Sequence, residues 1–254
     1  MTVTPAQRFS ATAAAYAETM APSLRPVAAE VVRRVALGPN ERVLDVGTGT
    51  GIAAAAALGD GRRVTGIDAA AGMLEIARAD VPGATFREMD FGAIDFEDGG
   101  FDVAIAVHCL LFATDQVAVL REWLRVTRSG GRLSLSVPGP DDVTPSAIYA
   151  EIYERNGIDT TGRYPAPDAL AALAVDAGWQ HVRTHADDST AIILPDADAF
   201  RTWREIGARG AATADFTPEQ HASLTDEMLA VTPHDVEGRL RIPFGTIYLS
   251  AVKR

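Results

Sequence analysis

The chain has 254 residues, 47% of them apolar, and a formal charge of -11. That length and apolar content suit one sizeable core, and the acidic surplus opposes binding to a polyanion, which sets nucleic acid aside as a partner. No apolar run is long enough for a bilayer helix and the amino terminus lacks the regions of a signal peptide, so the expected setting is cytoplasmic with no membrane contact. The single cysteine, Cys109, rules out an internal disulfide or a multi-cysteine metal centre.

In chain order, Phe9 and Tyr16 stand seven residues apart, near one face of an expected helix. Val43 to Val46 reads as a strand, Gly47 to Gly51 as a turn and Ile52 to Leu58 as a helix. The unit repeats with a strand at Arg63 to Ile67, a helix at Gly72 to Ala79 and a strand at Thr85 to Met89. FDVAIAV, residues 101 to 107, is almost wholly apolar, as a central parallel strand should be. A helix over Asp115 to Thr127 is expected to stop at Ser129-Gly130-Gly131, before a fifth strand at Arg132 to Val137. Pro138, Pro140 and Pro145 then break the pattern. Helices follow at Tyr149 to Arg155 and Pro167 to Ala177, with a sixth strand at Trp179 to Thr184. Two further helices, roughly Asp198 to Ala208 and Pro218 to Leu229, look like an insertion before a final strand near Leu240 to Val252. Such alternation predicts an α/β fold, a Rossmann-like doubly wound, seven-stranded, mostly parallel sheet with helical cap insertions.

The glycines of VLDVGTGTGIAAA, residues 43 to 55, allow a sharp strand-to-helix turn and let a ligand lie against the backbone. Two fingerprints fit. Gly49-Thr50-Gly51-Ile52-Ala53-Ala54 matches the dinucleotide pattern, with Asp68 placed as a ribose-binding acid, which favours NAD. Asp45 ahead of Gly47, Gly49 and Gly51 instead suits a ligand that carries positive charge, because an acid there would repel a pyrophosphate.

VLDVGTGTG, GIDAAAGML at 66 to 74, MDF at 89 to 91, FEDGGFDVAIAVHCLLF at 96 to 112 and LREWLRVTRSGGRLSLSVPG at 120 to 139 together resemble the class I S-adenosylmethionine (SAM) methyltransferases of the ubiquinone/menaquinone-biosynthesis type. The resemblance covers about residues 8 to 139. It implies SAM as cofactor and S-adenosylhomocysteine (SAH) as product, with Gly47, Gly49 and Gly51 close to the methionine and ribose portions and Asp68 on both ribose hydroxyls. It also implies Ala69 and Met73 beside the adenine, Asp90 accepting from the exocyclic amine and the Phe91 amide next to it. Asp45 is expected near the cationic end. Read without the resemblance, Asp90 is a turn acid and Met73 a core residue.

Methyl transfer from a sulfonium is an in-line displacement with an activated leaving group, so positioning and desolvation can supply much of the catalysis. If the acceptor must lose a proton, His108, at the carboxyl end of the fourth strand, is the best-placed general base, with pocket shaping or cofactor contact as the alternative. His181 and His185 suit solvent exposure, and His221 and the His234-Asp235 pair fall in the inserted segment. Cys109 reads as a small buried residue. Asn/Asp-Pro-Pro-Tyr is absent after the fourth strand, and the chain's one lysine, Lys253, cannot form a lysine-dependent ribose methylation set. Asp141-Asp142 beside Pro140 suits a turn, so no metal is expected.

The expected organisation is a single domain, with a lid over residues 1 to 37, a SAM-binding core over 38 to 139 and substrate caps over 138 to 165 and 195 to 238. RFSATAAAYAE resembles the family's lid segment, which gives Phe9 and Tyr16 a place over the cofactor. Tyr149, Tyr153, Trp203, Phe216 and Phe244 are expected pocket walls for a small, partly apolar acceptor methylated at oxygen, carbon or nitrogen. Alternatives are an NAD(P)-dependent oxidoreductase, although Tyr-x-x-x-Lys is absent, and a SAM-fold protein without methyl transfer, such as a cyclase-like enzyme. The sequence leaves the oligomeric state open. Replacing Gly49 with valine is expected to abolish SAM binding while far-ultraviolet circular dichroism stays near wild type; unchanged SAM affinity on calorimetry would remove the loop from the binding site.

Overall fold

The computed structural model describes residues 3–139, 145–158, 165–206 and 212–254. Five strands, β1 (Arg42–Val46), β2 (Arg63–Asp68), β3 (Thr85–Glu88), β4 (Phe101–Val107) and β5 (Thr127–Pro138), run parallel. The seven-stranded sheet has the order β3-β2-β1-β4-β5-β9-β6, in which β9 (Thr246–Val252) lies antiparallel to both β5 and β6 (Gln180–Asp187). The chain builds outward from β1 through β2 to β3, then crosses to β4 on the other side of β1. That reversal opens a crevice at the carboxyl ends of β1 and β4, where open α/β sheets hold ligands.

Helices cover both faces. α3 (Ala21–Arg34), α4 (Ile52–Ala57) and α5 (Ala71–Asp80) pack on the face that carries Val43, Val103 and Ile105. α6 (Gln116–Val126) and α8 (Pro167–Asp176) pack on the face of Leu44, Val46, Ala104 and Leu133, where Trp123 and Trp179 are buried. Alternation of side chains along each strand produces these two cores.

The lid region departs from the expected single helix. The chain breaks at Thr12 (φ -108°, ψ 16°) between α1 (Pro5–Ala11) and α2 (Ala13–Thr19), so Phe9 and Tyr16 sit on successive helices. Their rings still meet edge to face, with centroids 6.1 Å apart.

Ser129-Gly130-Gly131 does not stop α6. The helix ends at Val126, and β5 starts at once with Thr127 in extended conformation. The glycines form an irregularity in the ladder, where the register moves from Phe101↔Thr127 to Val103↔Arg132. A Cβ on Gly131 would lie 2.5 Å from Thr127 Cγ2 and 2.8 Å from the Asp102 carbonyl oxygen, so this bulge needs glycine. The end of α6 finds a donor in Lys253, whose Nζ donates to the carbonyl of Leu124 in the helix and to that of Thr127 just beyond it, at 2.8 Å each.

The final strand is two strands. β8 (Leu240–Pro243) pairs with β7 (Ala191–Leu194), a strand not expected from sequence, in a separate two-stranded sheet, and the chain turns at Phe244-Gly245 before β9. α9 (Ala197–Glu205) and α10 (Pro218–Val231) lie between β7 and β8 in sequence. With α7 (Ala150–Arg155) they enclose a third apolar cluster that includes Tyr149, Ile152, Phe200, Trp203, Leu224 and Met228. Pro140 and Asp141-Asp142 lie outside the described residues.

Candidate functional site

A cavity of about 480 Å³ occupies the crevice above β1 and β4. Gly47, Gly49, Asp68, Ala69, Met73, Asp90, Phe91 and His108 line it, together with Phe9 and Tyr16. Ala70 and Cys109 also contribute. Among the described residues, the wall is completed by Thr4, Pro5, Ala6, Met20, Leu24, Val107, Leu111, Phe112, Pro138 and Ile206. Sequence reasoning missed these, because no motif marks a plain apolar wall; the Leu111-Phe112 pair, three and four residues after His108, was the available signal.

The floor is set by the loop between β1 and α4. Gly47, Gly49 and Gly51 all have positive φ (64°, 54° and 83°), a region that glycine enters without strain. Their surroundings differ. A Cβ on Gly47 would lie 2.5 Å from Cys109 Cβ, whereas one on Gly49 meets nothing within 4 Å and would enter open space. Gly51 does not line the cavity. It caps α4 and packs on α5 and β3, where its Cβ would approach Ala77, Val81 and Phe86.

Asp45 is also not at the cavity wall. It is 1% exposed, and its Oδ2 accepts from Thr48 Oγ1 at 2.6 Å and from Ala54 N at 2.9 Å, tying the glycine loop to the start of α4. Strand alternation is the reason, since Asp45 falls on the same face as Val43, beneath the loop. Its Oδ1 is buried with no hydrogen-bond partner among the described residues. Burial pushes its pKa up to about 7, against the pull of the Thr48 and Ala54 donors.

Asp68 closes β2 and lines the cavity. Oδ1 accepts from Ala70 N at 2.8 Å and Oδ2 from Gly49 N at 2.9 Å. A carboxylate has about four acceptor positions, so the backbone donors leave capacity for a ligand hydroxyl. Burial raises its pKa above the ordinary carboxylate value, opposed by these backbone donors. Asp90 Oδ1 accepts from Gly92 N at 2.7 Å, so this acid shapes a turn as well as the cavity rim. Phe91 accepts from Trp123 Nε1 through its carbonyl, which fixes the segment. Met73 is 2% exposed in a cluster with Ala13 and Ala70, and so serves both core and wall.

His108 follows β4 with φ 51°, an uncommon value for a residue with a side chain. Its N–H donates to the Ser136 carbonyl at 3.0 Å, and its ring stands edge-on to Phe244 at 5.7 Å. Its Nε2 is buried without a partner among the described residues. Burial pushes its pKa down to about 3. A base with so little proton affinity is poorly matched to general-base work near neutral pH, so the expected base role loses its support. Cys109, whose Sγ donates to the Val46 carbonyl at 3.2 Å, is likewise held uncharged by burial.

The expected cap aromatics are placed elsewhere. Tyr149 and Trp203 are buried in the cap's own cluster, Tyr153 and Phe216 pack against it, and Phe244 stands behind His108; none is in the described cavity wall. Aromatic content alone does not separate a pocket wall from a small core. His181 and His185 lie exposed on β6. His221 Nδ1 is 2.6 Å from Arg204 Nη2, and Asp235 is engaged by Arg239 at 2.7 Å instead of orienting His234. The described residues contain no group of three or more potential metal ligands.

Fold and crevice define a doubly wound α/β protein built to hold a nucleoside-bearing ligand. Comparison with known proteins makes this specific. The Methyltransferase domain family matches residues 44–135. Demethylmenaquinone methyltransferase of Beutenbergia cavernae is 41% identical over 162 residues, covering 57% of this chain and 68% of that protein. Nocamycin O-methyltransferase of Saccharothrix syringae is 26% identical over 269 residues, covering 95% and 96%. Among solved structures, the [4+2]-cyclase SpnF superimposes with a TM-score of 0.60 at 20% identity, covering 90% of this chain and 81% of that one, a likeness of fold alone. The chain belongs to the class I SAM-dependent methyltransferases of the ubiquinone/menaquinone-biosynthesis type. It is an enzyme that uses SAM to methylate a small molecule.

The high pKa of Asp45 has a pH signature. Between the unfolded value of 3.8 and the folded value of about 7, the folded chain holds a proton that the unfolded chain has released. The stability from this carboxyl is therefore complete below the lower value and is lost as pH rises through the upper one. On urea denaturation, wild type is expected to lose more stability than Asp45→Asn between about pH 4 and pH 7; equal losses would show that Asp45 ionises normally in the folded protein.

Proposed function

We propose that the cavity holds SAM with its adenosine along Asp68, Ala69, Met73, Asp90 and Phe91, and its amino-acid portion against Gly47 and Gly49. The observation that carries this reading is Asp68, which lines the cavity, is fixed by the backbone N–H groups of Gly49 and Ala70 and keeps acceptor capacity. Two further features fit the group. The open space above Gly49 admits a ligand to the backbone, and Asp68 and Asp90 put two carboxyl groups in the wall, suited to a ligand with a positive centre. Gly51 and Asp45 shape the loop without lining the cavity.

Bound SAM supplies an activated methyl group, and SAH is its product. The chain's own residues orient the acceptor and exclude water. Phe9, Tyr16, Met20, Leu24, Leu111, Phe112 and Ile206 make the rest of the wall mainly apolar, which suits a small, largely apolar acceptor. His108, neutral at ordinary pH, offers a hydrogen bond and not a base. Catalysis then rests on proximity and desolvation. The chain acts as one domain, with residues 1 to 37 as lid, 38 to 139 as core, and 138 to 165 and 195 to 238 as caps. Its placement is cytoplasmic; no helix among the described residues is long and apolar enough to cross a membrane. The net charge of -11 argues against a nucleic-acid acceptor.

Calorimetric titration with SAM, SAH and NAD tests the site. Micromolar binding of SAM and SAH is expected, with no heat from NAD and at least about a hundredfold weaker binding in Asp68→Ala, ~2.7 kcal/mol. Wild-type affinity in Asp68→Ala would displace the ribose from this carboxylate. Once an acceptor is in hand, His108→Ala is expected to keep kcat within about tenfold, ~1.4 kcal/mol; a loss of a thousandfold or more would restore the base role.

A further inference from the structure

Helix α5, which carries Met73 and follows the Asp68–Ala70 segment, has no side-chain cap of its own, because the N-cap position is Ala70. First-turn N–H groups need a partner from outside the helix. The Gly72 N–H finds one in the lid, donating to Ser10 Oγ at 2.9 Å across 62 residues of sequence.

Gly72 itself calls for an explanation. Its backbone is not in the left-handed region that demands glycine, and inside a helix glycine is a poorer residue than alanine. The close approach of the lid accounts for it, since a Cβ on Gly72 would lie 2.5 Å from the Ser10 carbonyl oxygen and 3.0 Å from Ser10 Oγ. Helix α1 needs this seat. It has seven residues, none of them buried, and a helix of that length has little stability alone. A further anchor is the Phe9 ring, edge-on to Phe112 at 5.2 Å and to Tyr16 at 6.1 Å, all three lining the cavity.

We infer that the Ser10–Gly72 contact is a latch that makes lid docking and cofactor retention one event, with Ser10 acting as a positioning residue for the adenosine-binding segment through α5. When α1 is seated, its serine completes the first turn of α5 and holds the Asp68–Ala70 segment in place while Phe9 closes the mouth. When α1 leaves, α5 loses its cap and the cavity opens together. The cofactor arm of this inference rests on the SAM reading above; the docking arm does not.

Gly72→Ala separates a latch from a merely structural glycine, because alanine suits the helix and the three nearest atoms to its Cβ all belong to Ser10 of the lid. Three quantities are read on the full chain: the thermal midpoint, amide hydrogen exchange of residues 5 to 19 without ligand, and the SAH dissociation rate by stopped flow. The expected result is a midpoint at or above wild type, with lid exchange and SAH dissociation each at least tenfold faster. Ser10→Ala, which removes the hydrogen bond without adding bulk, is expected to move both rates the same way by a smaller factor. Wild-type lid exchange in both variants would overturn the latch. Faster lid exchange with unchanged SAH dissociation would overturn its coupling to the cofactor. If wild type binds no SAH, the SAM reading fails, and the exchange comparison still decides whether the lid docks through Gly72.

Discussion

One buried carboxylate organises the binding end of the molecule. Asp45 sits beneath a loop that turns through three left-handed glycines, and it bonds to that loop at Thr48 and to the following helix at Ala54. A loop so rich in glycine loses much conformational entropy on folding, and the tie from Asp45 below helps to offset that loss. With that tie, the Gly49 N–H is aimed at Asp68, so the first strand's acid fixes the loop and the loop in turn fixes the second strand's acid. The cavity floor is a relay of hydrogen bonds between neighbouring strand ends, laid where the sheet order reverses.

Electrostatically, the cavity leans to one sign. Burial holds His108 and Cys109 neutral, and the acidic groups in the described wall are Asp68 and Asp90. Such a site complements a ligand with a positive centre and disfavours a pyrophosphate. The ambiguity of the glycine fingerprint is thus resolved by the surroundings of the loop more than by the spacing of its glycines.

Much of the core was legible in the sequence, because a buried parallel sheet writes itself as short apolar strands between helices of steady length. FDVAIAV is the clearest case, and it became the central β4. Four features were not legible, for distinct reasons. Period-two spacing in a loop does not keep residues on one side, so Gly47 and Gly49 face the cavity while Gly51 faces the core. A four-residue strand such as Ala191–Leu194 carries too little pattern to declare itself before its partner Leu240–Pro243 is known. The aromatic residues of the caps gave no sign that Tyr149 and Trp203 would bury one another's cluster instead of lining a pocket. The depressed pKa of His108 depends on neighbours distant in sequence, Phe244 among them.

The position of β9 has a consequence for how the chain reaches this fold. The last strand in sequence lies inside the sheet, paired from Arg132↔Val252 to Pro138↔Thr246 on one side and with β6 on the other. During synthesis β5 therefore waits through more than a hundred residues with one row of backbone donors and acceptors open, and β6 has no place in the sheet until β9 arrives. An open strand edge of that kind is a template for wrong pairing. The lid, the glycine loop and the first four strands precede that wait, so the nucleoside-binding half can assemble as a local unit, whereas the far edge of the sheet depends on contacts of high sequence separation, which form slowly.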